Sequence, residues 1–184
     1  MEVTQTTKRV VKLGGLGGQG VLTAGLLLAQ AGMNSFKFVT WFPSYSAAMR
    51  GGEVDCTVIL SQKEINSPII SRPEIVVVMS LFSLDMFEEK VAPNGMLFLD
   101  SSVVKREIKR KDLKVFKIPA SDIAVDLGSN QVSNLILLGA VSKATGILPL
   151  EEIETELERK LREEGKESLI PINKQALERG AGLV

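Results

Sequence analysis

The residues best placed for chemistry are the glycines at positions 15, 17 and 20, which follow a short apolar strand and precede a helix-forming run. Their spacing is G-x-G-x-x-G, typical of loops whose backbone N–H groups face a phosphate at a helix amino terminus. Gly18 adds a further glycine, and Gln19 adds an amide side chain. We expect Gly15, Gly17, Gly18, Gln19 and Gly20 to form a backbone cradle for an anion. Tight helix–sheet packing would require the same glycines and is the simpler alternative.

A dinucleotide site would also require an acidic residue about 20 positions further on, at the end of the second strand, to bind the ribose hydroxyls. Thr40 and Trp41 occupy that place, and no carboxylate follows until Glu53. This disfavours a self-sufficient NAD-dependent reductase. The expected occupant of the loop is therefore another phosphate or nucleotide, or a neighbouring protein chain.

The chain contains no histidine and a single cysteine, Cys56, which limits the chemistry it can perform alone. Without histidine it has no Ser-His or Cys-His nucleophile and no imidazole base or metal ligand. One cysteine cannot hold an iron–sulfur cluster, which takes about four protein ligands. The alternating run around Cys56 predicts a buried strand residue. We predict no catalytic residue and no metal site in this chain.

Charge and hydropathy exclude several classes of partner. The 22 basic and 22 acidic side chains cancel, so no net field would attract nucleic acid. No cationic, apolar leader and no apolar run long enough to span a membrane is present, and we expect a cytoplasmic protein. The basic stretch 105–112 lies in a predicted connection without aromatic residues, which favours a solvated turn over a nucleic-acid patch.

Strand and helix patterns alternate along the chain, which predicts an α/β fold with a mostly parallel sheet. Strands are expected at 9–13, 36–41, 54–60, 75–79, 96–100 and 114–118, and helices at 21–32, 83–90, 121–127, 131–145, 150–164 and 173–179. We expect residues 1–184 to form a single Rossmann-like three-layer domain, with a helical C-terminal extension from about residue 147. The nearly all-apolar helix 131–145 should be buried, in the core or at a subunit contact.

A second segment, 40–56, should leave the carboxyl end of a strand, where ligands bind in open α/β sheets. It places Tyr45 and Arg50 near the glycine pair Gly51 and Gly52. The planar guanidinium of Arg50 is suited to clamp a carboxylate or phosphate, or to pair with an acidic residue of a neighbouring subunit. A surface arginine beside a flexible turn is the plainer alternative.

These two segments together, GGLGGQGV at 14–21 and WFPSYSAAMRGG at 41–52, resemble the gamma subunit of 2-oxoacid:ferredoxin oxidoreductases. Similar pieces continue along nearly the whole chain: INSPII from Ile65, SLFSLDMF from Ser80, IPASDIAVDLG from Ile118 and SNLILLGAVSKATGI from Ser133. TWFPSY before the MRGG element is most similar to the 2-oxoglutarate or broad 2-oxoacid branch. The indolepyruvate branch shares the same domain, so the substrate stays open.

The resemblance implies a subunit of an enzyme that decarboxylates a 2-oxoacid, such as 2-oxoglutarate or pyruvate, to acyl-CoA and reduces ferredoxin. It implies that sibling alpha, beta and delta subunits hold the thiamine diphosphate, the Mg²⁺ and the iron–sulfur clusters, and that this chain is inactive alone. The glycine loop would then bind the phosphates of coenzyme A or a partner's loop. Tyr45, Arg50, Gly51 and Gly52 would contact the substrate or a neighbouring subunit.

One stretch departs from the family pattern. Relatives usually carry a glycine and an acidic residue where this chain has Ser46, Ala47 and Ala48. A polar role for this part of the second segment is therefore in doubt.

An interpretation of a different class is a stand-alone phosphate- or nucleotide-binding module, or a structural scaffold, that acts as a homodimer. In isolation the chain is expected to expose apolar surface around helix 131–145 and the MRGG element, and so to dimerise. Co-purification with larger, cofactor-bearing chains distinguishes a subunit from an independent module.

Overall fold

A six-stranded sheet lies at the centre of the computed structural model, which describes residues 8–45 and 52–184. The strands are β1 (Lys8–Leu16), β2 (Phe38–Tyr45), β3 (Glu53–Ser61), β4 (Ile75–Val78), β5 (Met96–Asp100) and β6 (Lys114–Ile118). They lie in the order β2-β3-β1-β4-β5-β6. The pairs β1–β4, β4–β5 and β5–β6 are parallel, whereas β3 is antiparallel to both β1 and β2. The predicted α/β fold with a mostly parallel sheet is confirmed, with β3 as its exception.

The reversed strand follows from the length of the connection that precedes it. Residues 46–52 join β2 to β3, and a connection this short can join antiparallel but not parallel neighbours, since parallel pairs need a dozen residues or more. The prediction that the second strand ends at residue 41 is wrong, because β2 continues through Pro43 to Tyr45. Proline is tolerated there because β2 is an edge strand.

Six α-helices surround the sheet within the described ranges: α1 (Val21–Gly32), α2 (Leu81–Phe87), α3 (Ala120–Asp126), α4 (Ser133–Thr145), α5 (Leu150–Glu163) and α6 (Ile170–Ala181). Their positions agree with the sequence prediction to within a few residues. Helix α2 begins earlier than predicted, because Ser80 and Ser83 form a capping box at its amino end. No helix in these ranges is both long and apolar enough to cross a bilayer.

The two faces of the sheet are covered unequally. Ile75 and Val77 of β4 belong to a large apolar cluster with α1, α3, α4, α5 and α6. Val76 and Val78 point to the opposite face, where a smaller cluster contains α2 and the irregular connection between β5 and β6. Alternation along one buried strand therefore supplies both cores, as expected for a sheet buried on two sides.

Helix α4 is the most buried helix, as its apolar sequence predicts, and residues 133–142 are all buried. Its cover comes from this same chain, because α6 packs across it backbone to backbone. A Cβ at Gly139 would lie 2.0 Å from the Leu177 carbonyl oxygen, and one at Gly180 would lie 1.8 Å from that of Ile136. The expectation that an isolated chain exposes apolar surface around this helix is therefore wrong.

The connection between β5 and β6 is fastened by the buried carboxylate of Glu88, which is 2% exposed. Its oxygens accept hydrogen bonds from Arg106 Nη2 at 2.7 Å and from the backbone amides of Arg110, at 3.0 Å, and Lys109. Burial by itself would raise the pKa of Glu88, but these hydrogen bonds outweigh it and lower the pKa from 4.5. The basic stretch 105–112 forms the predicted irregular connection, and part of its positive charge, on Arg106, is paired with Glu88 of the same chain.

We expect Glu88→Gln to lower the free energy of unfolding at pH 7 by about 2 kcal/mol, since it weakens charge-assisted hydrogen bonds. The pKa of Glu88 is lower in the folded than in the unfolded state. Its contribution is therefore complete above the unfolded value and is lost as the pH falls through the folded value. Urea unfolding between about pH 7 and pH 3 measures this dependence. The exposed neighbour gives a control, Glu89→Gln, and an acid-induced loss as steep in Glu88→Gln as in the wild type would contradict the assignment.

The contact between α4 and α6 predicts that Gly139→Ala destabilises the fold by about 3 kcal/mol, because the new methyl group would displace the backbone of α6. Gly182→Ala is the matched control, since a Cβ there would meet its nearest atom, the Glu178 carbonyl oxygen, at 3.5 Å. Chemical denaturation of both variants gives the comparison. Equal stability of the two variants would show that the helices can separate without cost.

Candidate functional site

The predicted glycine loop connects β1 to α1 at the carboxyl edge of the sheet. Gly18 and Gly20 have φ angles of 101° and 73°, in the left-handed region that glycine adopts most readily. Gly20 is the residue before the first turn of α1, which has no side-chain cap. The N–H groups of that turn lack intrahelical partners and carry the partial positive charge of a helix amino terminus.

Gln19 holds this loop together from the inside. Its Oε1 accepts a hydrogen bond from the Leu16 amide at 2.7 Å, and its Nε2 donates to the Met79 carbonyl at 2.8 Å, at the end of β4. Gly15 makes room for this side chain, because a Cβ there would lie 2.6 Å from Gln19 Oε1. The polar groups of the Gln19 side chain are therefore engaged within the fold and position the loop.

Two backbone N–H groups of the loop are also engaged. Gly17 N donates to the Gly52 carbonyl at 2.8 Å, and Gln19 N donates to the Leu16 carbonyl at 3.1 Å. The groups best oriented to receive an anion are consequently those from Gly18 into the first turn of α1. Gly18 is exposed, and a Cβ there would meet no atom within 4 Å.

The structure brings the second predicted cluster next to the first through Gly52. Tyr45 ends β2 opposite Val54, and Gly52 immediately precedes β3. Arg50 and Gly51, together with the side chain of Tyr45, lie outside the described residues. The contact from Gly17 to Gly52 therefore joins the two segments that the sequence singled out.

The position of β3 also rearranges the surroundings expected for a dinucleotide. Because β3 lies between β1 and β2, the end of β2 is two strands away from the glycine loop, about 10 Å across the sheet. The nearest strand instead brings Glu53 opposite Leu16. Sequence spacing alone had placed this carboxylate too far along the chain to matter.

Asn134, in the first turn of α4, belongs to the site but was missed by the sequence analysis. Its Nδ2 donates to the Gly20 carbonyl at 2.9 Å, and a Cβ on Gly20 would lie 2.5 Å from the same nitrogen. The residue is 5% exposed, and its Oδ1 has no donor among the described residues. An asparagine at the head of a nearly all-apolar helix was the available signal.

Beneath the glycine loop lies a cavity of about 480 Å³, which we call the α1–α4 cavity. Its polar wall includes Gly18, Gly20, Thr23, Asn134, Lys160 and Lys166. Its apolar wall is formed by Leu27, Leu135, Leu157, Leu161, Leu169 and Ile172. One carboxylate, Glu164, also lines it and accepts a hydrogen bond from Lys166 Nζ at 2.8 Å. The cavity therefore combines a cationic rim with an aliphatic floor.

Other features of the carboxyl edge bear on association and reactivity. Leu81 and Phe82, just beyond β4, are 48% and 41% exposed, so apolar surface lies beside the glycine loop. Cys56 is fully buried in β3, as predicted, and burial raises its pKa to about 12. Its Sγ donates a hydrogen bond to the Val21 carbonyl at 3.8 Å. Across the described ranges, no three His, Cys, Asp or Glu side chains are grouped to hold a metal ion.

This geometry defines an α/β protein with a glycine loop and an uncapped helix terminus at the carboxyl edge of its sheet. The chain belongs to the pyruvate ferredoxin/flavodoxin oxidoreductase family, which matches residues 10–183. The resemblance to gamma subunits of this family is thereby confirmed, as the following relatives illustrate.

Ketoisovalerate oxidoreductase subunit VorA of Methanothermobacter marburgensis is 35% identical over 171 residues, which cover 93% of this chain and 35% of VorA. 2-Oxoglutarate synthase subunit KorC of Methanothermobacter thermautotrophicus is 31% identical over 154 residues, 80% of this chain and 82% of KorC. The pyruvate/ketoisovalerate oxidoreductases common subunit gamma of Thermococcus litoralis is 32% identical over 151 residues, which cover 78% of this chain and 82% of that subunit. The chain thus spans about a third of VorA's length.

Two solved structures share the fold. The gamma subunit of a keto/oxoacid ferredoxin oxidoreductase from Geobacter sulfurreducens superimposes with a TM-score of 0.84 over 96% of this chain and 95% of that one, at 22% identity. The 2-oxoglutarate:ferredoxin oxidoreductase of Magnetococcus marinus, solved with 2-oxoglutarate, coenzyme A and succinyl-CoA bound, gives a TM-score of 0.87 at 21% identity. That match covers 97% of this chain and 31% of the Magnetococcus chain.

The internal hydrogen bonds of Gln19 predict that Gln19→Ala destabilises the protein by about 2 kcal/mol, since two backbone groups, the Leu16 amide and the Met79 carbonyl, lose their partners. We expect the loss to be local, with faster amide hydrogen exchange at Leu16 than in the wild type. Gln175→Ala, at an exposed position of α6, is the control. Unchanged exchange at Leu16 would mean that the loop keeps its shape without this side chain.

Proposed function

We propose that this chain is the gamma subunit of an assembly that oxidatively decarboxylates a 2-oxoacid to acyl-CoA and reduces ferredoxin. The family match over residues 10–183 carries the proposal. The relatives named for 2-oxoglutarate, pyruvate and ketoisovalerate support an enzyme of this class. We propose 2-oxoglutarate or a broad range of 2-oxoacids as the substrate, and the cytoplasm, where coenzyme A and ferredoxin are used, as the location.

The proposal assigns the thiamine diphosphate, the Mg²⁺ and the iron–sulfur clusters to alpha, beta and delta subunits. The residues of this chain do not fit a cluster, since it has one cysteine and no histidine. The thiol is fully buried, and burial raises its pKa to about 12, which disfavours the thiolate that a cluster requires. We therefore expect the chain to be necessary for turnover and inactive alone.

Within this assembly, the glycine loop would hold the phosphates of coenzyme A or receive a loop of a partner chain. The uncapped amino end of α1 and the exposed Gly18 support an anion at this position. The exposed side chains of Leu81 and Phe82 beside the loop support contact with a partner chain. Both uses place the contact at the carboxyl edge of the sheet.

The rival function, a stand-alone phosphate-binding module, is favoured by one observation. The α1–α4 cavity lies within this chain and combines lysines with an aliphatic floor. Such a module would act as a homodimer. Because α4 is covered, we propose that an isolated chain pairs through other apolar surface, such as Phe38 and Phe42 on the edge strand β2, which are 41% and 44% exposed.

The test of the proposed function is purification of the chain from its native extract under anaerobic conditions, followed by a dye-reduction assay. Brown material with larger partner chains, and viologen reduction that requires both a 2-oxoacid and coenzyme A, is the expected result. A series of 2-oxoglutarate, pyruvate and 2-oxoisovalerate then identifies the substrate. A colourless, partner-free and inactive homo-oligomer would favour the independent module.

We expect Arg50→Ala to weaken subunit assembly or acyl-CoA formation at least about tenfold, through loss of a charge-assisted contact, with the thermal stability of the isolated chain unchanged. Arg179→Ala, at an exposed position of α6, is the charge-matched control. Size-exclusion chromatography of the complex and coenzyme-A-dependent dye reduction measure the two effects. Wild-type assembly and turnover in Arg50→Ala would contradict the role given to this arginine.

A further inference from the structure

The strand β2 forms one lateral edge of the sheet and is in contact with solvent along its length. Within the described ranges it pairs only with β3, so its other side has no neighbouring strand. None of residues 38–44 is buried, whereas the last six residues of β3 beside it all are. An open edge of this kind is a template for pairing with another strand.

The two lateral edges of the sheet differ in charge. At the far edge, β6 carries the exposed lysines Lys114 and Lys117, and lysine is a residue that protects an edge strand from pairing. The β2 sequence, FVTWFPSY, contains no charged residue. It exposes the large apolar side chains of Phe38 and Phe42 instead. Pairing between sheets is therefore expected at β2 and not at β6.

The ladder of β1 and β3 shows which backbone groups of β2 are free. Gly17 N donates to the Gly52 carbonyl and continues this ladder, so the even-numbered residues of β3 bond to β1 and the odd-numbered ones bond to β2. The even-numbered residues of β2 lie opposite these odd-numbered ones. Val39, Trp41 and Pro43 therefore turn their backbone groups to the open side. Pro43 is suited to this place, since it has no N–H group to give to β3.

The side chains of β2 alternate between the two faces of the sheet. Val39 and Trp41 pack against the core on the α1 side, where they line a groove of about 380 Å³ together with residues of α1. Phe38, Thr40 and Phe42 lie on the opposite face. Their pattern is symmetric about Thr40, with one phenylalanine two positions before it and one two positions after it. A strand with this pattern can pair with a copy of itself.

We propose that two copies of this chain pair antiparallel along β2, about a two-fold axis at Thr40, and join their six-stranded sheets into one of twelve strands. Val39 of each copy then lies opposite Trp41 of the other, and these residues exchange about four main-chain hydrogen bonds. Phe38 of each copy lies opposite Phe42 of the other. Aromatic pairs of this kind stabilise the contact between strands.

A second copy supplies the complement that this edge requires. Because the pattern is symmetric, phenylalanine meets phenylalanine on both sides of the axis. The nearest charged residue, Lys37, lies opposite Pro43 of the second copy, so no like charges face each other. Pro43, which lacks an N–H group, falls at the end of the new ladder and does not interrupt it.

This pairing goes beyond the proposed function, because it uses the lateral edge of the sheet and not the carboxyl edge. A two-fold axis perpendicular to the sheet keeps both α1 helices on one face and points the two carboxyl edges in opposite directions. Both glycine loops therefore stay open to ligands or partner chains. An assembly built on this pair contains its gamma subunits two by two.

Sedimentation equilibrium of the full chain tests the pairing, and a dimer at about 50 µM is the expected result. Thr40→Lys places two ammonium groups at the axis and should raise the dimer dissociation constant at least about tenfold. Thr40→Glu should have the same effect by itself. An equimolar mixture of the two variants puts opposite charges at the axis and should restore the dimer. Thr155→Lys, at an exposed position of α5, is the matched control and should dimerise as the wild type does.

A cysteine at the axis tests the register. Thr40 lies between the hydrogen-bonded pairs, so its two copies face each other with Cα atoms about 4.5 Å apart, within the range of a disulfide. Thr40→Cys should therefore form a covalent dimer on mild oxidation. In Ser44→Cys, on the same face, the two thiols would lie about 27 Å apart along the strands, and no covalent dimer is expected. The native Cys56 is fully buried and does not compete.

The inference is overturned if the wild-type chain is a monomer, if Thr155→Lys weakens the dimer as much as Thr40→Lys, or if the mixture of charge variants stays monomeric. It is also overturned if Thr40→Cys gives no covalent dimer, or if Ser44→Cys gives as much of it. In the complex purified with its partners the Thr40→Cys crosslink is expected too, and its absence there would contradict gamma subunits held two by two.

Failure of this inference is separable from failure of the proposed function. A complex that reduces the dye while the chain forms no dimer through β2 would keep the subunit assignment and remove the pairing. A crosslinked dimer that purifies without partner chains and without dye reduction would keep the pairing and remove the subunit assignment.

Discussion

The hydrogen bond from Asn134 to the Gly20 carbonyl joins the amino ends of α1 and α4, and much of the carboxyl edge is arranged around it. Gly20 must lack a side chain for the asparagine to approach, and its positive φ turns the chain from the loop into α1. Because α4 packs backbone to backbone against α6, the start of α1 is held against the most buried helix of the molecule. This hydrogen bond anchors the end of a loop that has four glycines between residues 15 and 20.

The antiparallel strand β3 is the second determinant of the site. It brings Gly52 within a hydrogen bond of Gly17, so two segments separated by more than 30 residues form one edge surface. The same strand separates β2 from β1, which removes the usual place for a ribose-binding carboxylate. A glycine pattern shared with dinucleotide folds therefore stands in a different environment, which explains why the pattern alone did not define the ligand.

Local sequence signals were enough to predict the elements but not the direction of every strand. Helix α1 and strands β5 and β6 have the predicted bounds, because apolar periodicity and turn residues specify them locally. The reversal of β3 depends on a short connection, and β2 continues beyond its expected end at residue 41, through Pro43 to Tyr45. Gln19 and Asn134 show a second limit of prediction from sequence, which concerns the direction of side chains. Gln19 was predicted to help form an anion cradle, whereas its side chain bonds to the backbone of Leu16 and Met79 inside the fold. Asn134 was not selected, because its long-range contact with Gly20 decides what its amide faces.

The close approach of α4 and α6 has a consequence for how the protein is made. Gly139 and Leu177 meet backbone to backbone although they are 38 positions apart, from 139 to 177. During synthesis α4 leaves the ribosome before α6, so its apolar surface has no cover until the later helix has emerged. The nascent chain must therefore pass through a stage in which its most buried helix is open to chaperones, to aggregation or to a partner subunit made nearby.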